Sequence, residues 1–292
     1  DCEASNKTLY KLYAAIMIMI FILALPLNAS VLHLFVFKLK FWKSNSNNIF
    51  LFNLVLADIL LLFCLPIKAH NYIKGERRSE NNTVCKAMLF MLFLNRGASI
   101  AFLTVTSIDR YFNVVHPGRK NLLKALKKSP QISILIWLFL LPLTVPTMLK
   151  TFECCNSHKT SNDDTLIKVT PAYCHSSSSQ VVFFSQIVIP FIILVYCTMR
   201  IVNRLRKKTV GEKAKLRRAM CVVTSVVVVF SICFLPCAIA RAVLLSVRLQ
   251  NLQEAEDLVV QVYDGLMVLS YMDCLLDPLV YCFCNSGFKD AY

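Results

Sequence analysis

The sequence predicts an all-α bundle of seven membrane-spanning helices, and three observations carry that expectation. Apolar residues make up 57% of the 292-residue chain and charged residues only 17%, with a mean hydropathy of +0.58. Soluble domains average about 45–50% and about 25%. Several apolar runs exceed the roughly 18 residues that suggest a span. Lys and Arg, finally, crowd into alternate connections between those runs. A soluble globule, a disordered chain and a glycine-rich nucleotide enzyme are thereby excluded; the chain holds only six glycines.

In chain order the runs cover about 10–37, 47–69, 84–115, 129–149, 179–202, 218–247 and 258–283. The first carries Asn28 within it, and the second carries Asp58 and Lys68. The third is amphipathic, with Asn95, Arg96 and Ser99 inside it. The fourth carries Trp137, while the fifth, sixth and seventh are punctuated by Pro190, Pro236 and Pro278. No run is flanked by a stretch long enough for a soluble domain, so residues 1–292 read as one domain. No internal repeat is visible, which counts against a transporter built from duplicated halves. The chain starts at Asp1 without a signal-peptide pattern and stops at Tyr292, and it reads as part of a longer protein.

Loop charge sets the orientation. The connections after runs one, three and five hold three (38–43), five (119–128) and nine (200–218) Lys and Arg. That excess assigns them to the cytoplasm and the amino terminus to the outside. The sequons at Asn6 and Asn81 then fall on the outer side, where glycosylation occurs. The net charge of +15 follows from the same rule and implies no nucleic acid.

Ionisable groups inside a bilayer are costly and mark function. The set here is Asp58, Lys68, Arg96, Asp109, Arg110, Arg241, Asp264, Asp273 and Asp277. Lys68 and Arg241 sit near helix ends, so snorkelling toward water accounts for them as well as ligand contact does. Arg96 lies about eleven residues beyond Cys85, about 16 Å deeper at 1.5 Å per residue. At that depth it needs a counter-charge or a water-filled cavity. Its planar fork suits a carboxylate, and Phe93, Leu94, Phe183, Phe184, Met267 and Leu269 suit an acyl chain. His175 and Ser176, in the second outer connection, are further candidates for ligand contact. The five histidines lack ligand spacing, no Ser/His/Asp set or metal cluster stands out, and the chain reads as no enzyme.

Asn28, the run Asn53–Asp58, Asp109-Arg110-Tyr111, Trp137, Pro190, Cys233-Phe234-Leu235-Pro236 and Asp277-Pro278-Leu279-Val280-Tyr281 fall one set per span. In that order and spacing they resemble the landmarks of rhodopsin-like G-protein-coupled receptors, over essentially the whole chain. Asn95–Thr104, Asp109–Phe112, Val114-Val115-His116-Pro117, Cys233–Cys237 and Ala240-Arg241 resemble the hydroxycarboxylic acid, oxoeicosanoid and hydroxyeicosatetraenoic acid receptors. The chain departs from them in lacking a Trp in the first outer loop and in carrying Cys2 where a cysteine pair is usual.

The resemblance implies a plasma-membrane receptor with the start of a short amphipathic helix after the seventh span. It implies Arg96 as carboxylate anchor assisted by Tyr271, with Arg241, Lys68, Phe93 and Met267 around the ligand. A disulfide from Cys85 to Cys174 is expected, and Cys154 or Cys155 is an expected partner for Cys2. Asp58, Ser99, Asp273 and Asp277 match a mid-bundle site for Na+ in the inactive state; a polar plug without an ion is the other reading. No other cofactor is expected. Asp109, Arg110, Tyr111, Lys215 and Arg218 would face a heterotrimeric G protein, of the Gi/o class by analogy, with arrestin a second partner. An Asp109–Arg110 pair would restrain the inactive state, and Phe234, Pro236, Pro278 and Tyr281 would form the activation switch. The expected ligand is a hydroxy- or oxo-fatty acid; a small hydroxycarboxylic acid, a peptide or a nucleotide are alternatives, and a transporter a distant one.

Overall fold

A computed structural model describes residues 3–38, 46–116, 128–150, 173–206, 213–250 and 252–284. The described residues form α1 (Lys7–His33, extended by a π turn over Leu34–Lys38), α2 (Ser46–Lys74), α3 (Asn82–Val115), α4 (Ser129–Lys150) and α5 (Tyr173–Arg206). There follow α6 (Lys213–Cys233), α7 (Leu235–Leu249), α8 (Gln253–Ser270) and α9 (Asp273–Cys284). Six segments are long and apolar enough to cross a membrane, and α4 supplies a shorter apolar stretch over Ser129–Thr144. The sixth span is thus α6 plus α7, and the seventh α8 plus α9.

Local chemistry explains the ends and the breaks. The Asn6 and Asn81 side chains accept from Leu9 N (3.1 Å) and from Thr83 and Val84 N (3.0 and 3.2 Å), capping α1 and α3. Both are exposed at the same end of the bundle. Pro236 lacks an N–H and its ring crowds the preceding turn, so the sixth span breaks at Phe234. Pro278 likewise leaves the Cys274 carbonyl without its helical donor, and Asn28 Nδ2 fills the vacancy at 2.9 Å. The seventh span steps at Tyr271-Met272, just before Asp273, which accepts from Cys274 N at 2.8 Å.

Apolar packing cannot hold helices together against lipid tails, so side-chain hydrogen bonds between spans carry part of the specificity, each worth about 0.6 kcal/mol on average. Trp137 Nε1 donates to Asn53 Oδ1 (2.8 Å), tying α4 to α2, and Asn95 Nδ2 donates to the Ala57 carbonyl (2.8 Å), tying α3 to α2. Gly97 admits Leu140 so closely that a Cβ would meet it at 2.8 Å. Outward faces stay apolar, as with Met19 and Leu23 on α1, Leu135 and Phe139 on α4, and Ile192 and Met199 on α5. They match a lipid environment.

A polar clamp closes the outer end. Ala4 N donates to the Gly75 carbonyl at 2.8 Å, where a φ of +83° requires glycine. Buried Asp264 accepts from Arg77 Nε and from the Tyr10 hydroxyl, both at 2.6 Å. Burial works against the Arg77 charge, but the Asp264 hydrogen bond and charge outweigh it and hold its pKa above the ordinary value. Tyr13 donates to the Gln261 carbonyl (3.1 Å) and Gln261 Nε2 to Ser5 Oγ (3.0 Å). The clamp therefore joins α1, the loop after α2, and α8.

Candidate ligand site

A cavity with about 420 Å³ of empty space, its open mouth included, lies in the outer half of the bundle. Its wall comprises Lys68, Leu89, Leu92, Phe93, Asn95, Arg96, Phe234, Met267, Ser270, Tyr271 and Asp273. Five of the residues expected at the ligand meet here: Arg96, Lys68, Tyr271, Phe93 and Met267. Phe234 and Asp273 border the same space, so the proline break of the sixth span and the step of the seventh both open onto the cavity.

Arg96 is 7% exposed, and its Nη1 has no hydrogen-bond partner. Nη2 lies against Met267 Sδ (2.6 Å) and Cys237 Sγ (3.7 Å), and the guanidinium carbon stands 5.5 Å from the Phe183 ring centre. Sulfur is a weak acceptor. The guanidinium is thus sheltered by soft, polarisable groups and remains able to take a stronger anion. Lys68 Nζ donates to the Tyr271 hydroxyl at 2.7 Å and faces the rings of Tyr72 and Tyr271 at 5.6 and 5.2 Å.

Arg241 departs from the expectation that it borders the ligand directly. It is not part of the cavity wall; its Nε donates to Gln180 Oε1 at 3.2 Å, and its guanidinium packs on Tyr263 and Phe183. It still shares the Phe183 ring with Arg96. Leu94, Phe184 and Leu269 also fall outside the wall, because Leu94 points into the core between helices and Phe184 packs edge-on against Phe183. The side chains of Cys174, His175 and Ser176 lie outside the described residues, as do Cys2, Cys154 and Cys155. Cys85 is buried and disulfide-bonded.

Asp264, the acid the sequence leaves free in the upper spans, is committed to Arg77. Glu256 pairs with Arg248 at 2.8 Å. Among the described residues no carboxylate lies within ion-pair distance of Lys68, Arg96 or Arg241. Arg78, in the loop after α2, is held below its ordinary pKa by burial and by Arg77, with Arg241 and Arg248 adding repulsion. Lys68, Arg96 and Arg241 thus place positive charge in and beside the cavity, of the kind that attracts anions. Sequence reasoning missed Arg77 and Cys237. Arg77 sits in a loop dense with charge, where no periodicity singles it out, and Cys237 reads as one apolar residue among many.

Asp273, in the cavity wall, and Asp58, Ser99 and Asp277 are all at most 1% exposed. Ser99 Oγ and both Asp277 carboxylate oxygens lack hydrogen-bond partners. Among the described residues no three His, Cys, Asp or Glu side chains converge on a point that would hold a metal ion. A single positive charge among these buried acids, as a proton or a monovalent cation, would relieve the burial of like charges.

At the inner end, Asp109 feels the charge of Arg110 but does not make the expected direct ion pair with it. Asp109 Oδ2 and its carbonyl accept from Asn113 Nδ2 at 3.0 and 2.8 Å. Residues i and i+4 share a helix face while i and i+1 do not. The Tyr111 hydroxyl meets His116 Nε2 at 3.2 Å. The side chains of Lys215, Arg218 and Tyr281, and any helix after α9, lie outside the described residues.

A helical bundle of apolar spans, with a cationic cavity at one end and an Asp-Arg-Tyr sequence at the other, has the plan of a receptor that reads one side of a membrane and reports to the other. Residues 27–281 match the model of the 7 transmembrane receptor (rhodopsin family), and the chain belongs to that family. It is a multi-pass receptor of the plasma membrane, not an enzyme. Among its relatives, the 12-(S)-hydroxy-5,8,10,14-eicosatetraenoic acid receptor of Mus musculus is 30% identical, covering 100% of this chain and 91% of its own. Hydroxycarboxylic acid receptor 2 of Homo sapiens is 33% identical over 100% and 79%, and oxoeicosanoid receptor 1 of Homo sapiens 29% identical over 98% and 73%.

Proposed function

We propose that this receptor is activated by a hydroxy- or oxo-fatty acid whose carboxylate pairs with Arg96, and that it signals through a Gi/o-class G protein with arrestin as a second partner. The observation that carries the reading is the buried, incompletely hydrogen-bonded Arg96 facing a cavity that Lys68 also borders. Phe93, Leu89, Leu92, Phe234 and Met267 provide apolar wall. The names of the relatives, receptors for an eicosanoid or for hydroxycarboxylic acids, agree with it. A second reading, a small hydroxycarboxylic acid, is favoured by the polar share of that wall: Lys68, Asn95, Arg96, Ser270, Tyr271 and Asp273. In both, a Cys85–Cys174 disulfide pins the second outer loop at the mouth, and glycans sit on Asn6 and Asn81.

The test is a panel of hydroxy-, oxo- and short-chain acids with their methyl esters on cells expressing the receptor, read as G-protein activation with and without pertussis toxin. Acids active at least tenfold below their esters, with toxin-sensitive responses, are expected. Esters as potent as acids would overturn the carboxylate reading.

Two further results are expected. Tyr271→Phe removes the hydroxyl that holds Lys68, and a net hydrogen bond is worth about 0.5–1.5 kcal/mol, so agonist potency should fall about threefold to tenfold in concentration–response curves. For the acid cluster, we propose that Na+ occupies it in the inactive state, held by Asp58, Ser99, Asp273 and Asp277 oxygens, whose hard character suits such an ion. Agonist affinity in membranes should then drop when Na+ replaces a bulky organic cation, and Asp58→Asn should erase the difference. Equal affinity in both salts for the parent receptor would exclude the ion.

A further inference from the structure

We propose that Cys237 is a covalent capture site for γ-oxo-α,β-unsaturated carboxylic acids, an electrophilic subset of the ligand class. The proposal rests on the reading of Arg96 as carboxylate anchor. Two independent observations meet at this point. The first is Arg96 itself, more than nine-tenths buried, bordering the cavity, with Nη1 unpartnered. The second is the free thiol of Cys237, 3.7 Å from Nη2 of the same guanidinium.

Cys237 comes to this place through the geometry of the sixth span. It follows Phe234 by three residues across the proline break, so both lie on one helix face. Phe234 borders the cavity, and Cys237 is set beside it against Met267, with Sγ–Sδ at 3.2 Å. The sulfurs of Cys237 and Met267 are weak acceptors. A carboxylate pairs with a guanidinium at about 2.7–2.9 Å, and the unpartnered Nη1 is open to it while Nη2 stays beside the Cys237 sulfur. The thiol then borders the carboxylate and the carbon attached to it.

That carbon is the electrophilic one in a 4-oxo-2-alkenoic acid. It is C2, β to the C4 ketone. The Cys237 sulfur adds to C2, and the C2=C3 π pair moves to C3 as the C4 carbonyl becomes an enolate. The thiol proton ends on C3 and restores the ketone. One S–C bond and one C–H bond form, the S–H bond and the π bond are lost, no atom leaves and no oxidant is needed. Nη2 of the adjacent guanidinium, fixed in place before the ligand arrives, stabilises the negative charge that the sulfur carries during attack. The other free thiols among the described residues, Cys64, Cys197, Cys221, Cys233 and Cys274, make no hydrogen bond to Arg96 and serve as internal controls.

The experiment uses the full chain in membranes with (E)-4-oxo-2-hexenoic acid, its methyl ester and the saturated 4-oxohexanoic acid. Peptide mass spectrometry should find the intact mass of the enone added at Cys237, at a rate at least about tenfold above the ester's and above that at other cysteines. Excess saturated acid should slow the labelling. Signalling should outlast washout for the enone and decay for the saturated acid, and Cys237→Ser should lose that persistence. The competition arm still decides if Cys237→Ser does not reach the surface. No adduct at Cys237, with the saturated acid active through Arg96, would overturn the capture site and leave the functional reading intact. Equal labelling by acid and ester, or unchanged labelling in Arg96→Ala, would overturn directed capture. Labelling that depends on the carboxylate and on Arg96, in a receptor the saturated acid does not activate, would uphold the capture site and sink the signalling reading.

Discussion

Replacing Arg96 by alanine is expected to weaken a carboxylate agonist by about tenfold to a hundredfold while the receptor still reaches the cell surface. A hydrogen bond to a charged group is worth about 1.5–3 kcal/mol, and about 1.4 kcal/mol is tenfold in affinity. Surface expression should persist because Arg96 carries no ion pair in the fold: its neighbours are the Met267 and Cys237 sulfurs and the Phe183 ring. Asp273 borders the same cavity but lies beyond ion-pair distance, so the substitution breaks no direct pair. Arg96→Lys should recover little, since a point ammonium does not reproduce the fork and its shorter reach moves it from Phe183. Lys68→Ala should cost less, because Lys68 is half-buried and donates to the neutral Tyr271 hydroxyl. The measurement is agonist affinity for acid and methyl ester on both receptors. If acid and ester differ as much on Arg96→Ala as on the parent, the carboxylate has another partner. Arg241, one ring face away across Phe183, is then the candidate.

The fold class was legible because long apolar runs leave few alternatives, and the cavity was legible because a charge deep in such a run must be paid for. Arg96, Lys68, Tyr271, Phe93 and Met267 could therefore be named from spacing and resemblance, and they do line one space. Side-chain partners were not legible in the same way. Nothing in the sequence says that Asn113, one turn beyond Asp109, competes with the adjacent Arg110. Nor does spacing show that Arg241 turns to Gln180 and Tyr263 instead of the cavity. The breaks at Phe234 and Tyr271 follow from proline and from local capping, and only the first has a sequence signal. The largest omission is Arg77, which lies 187 residues from its carboxylate. A pairing at that separation is decided by which helices meet.

That pairing makes the second strong expectation: Asp264→Ala should destabilise the receptor far more than its distance from the cavity suggests. The Asp264 side chain is 9% exposed and that of Arg77 21%, so neither is a freely solvated surface ion. Breaking a buried pair by removing one partner costs about 3–5 kcal/mol. Asp264→Ala also takes away the acceptor of the Tyr10 hydroxyl. Arg77→Ala should cost less, since Tyr10 still donates to the carboxylate that remains. The double change Arg77→Met with Asp264→Leu should recover most of the loss, because a well-packed apolar pair often replaces a buried ion pair at little or no net cost. The measurements are surface expression and the thermal unfolding midpoint of the purified receptor for both singles and the double, read as a double-mutant cycle. Single losses below about 1 kcal/mol would mean that the clamp behaves as an exposed ion pair, and it would then hold nothing. If the singles are large and additive, the two residues contribute separately. A large coupling, with agonist affinity still dependent on Arg96 in the rescued double mutant, would assign the clamp to holding α1, the loop after α2, and α8 together, and the cavity to recognition.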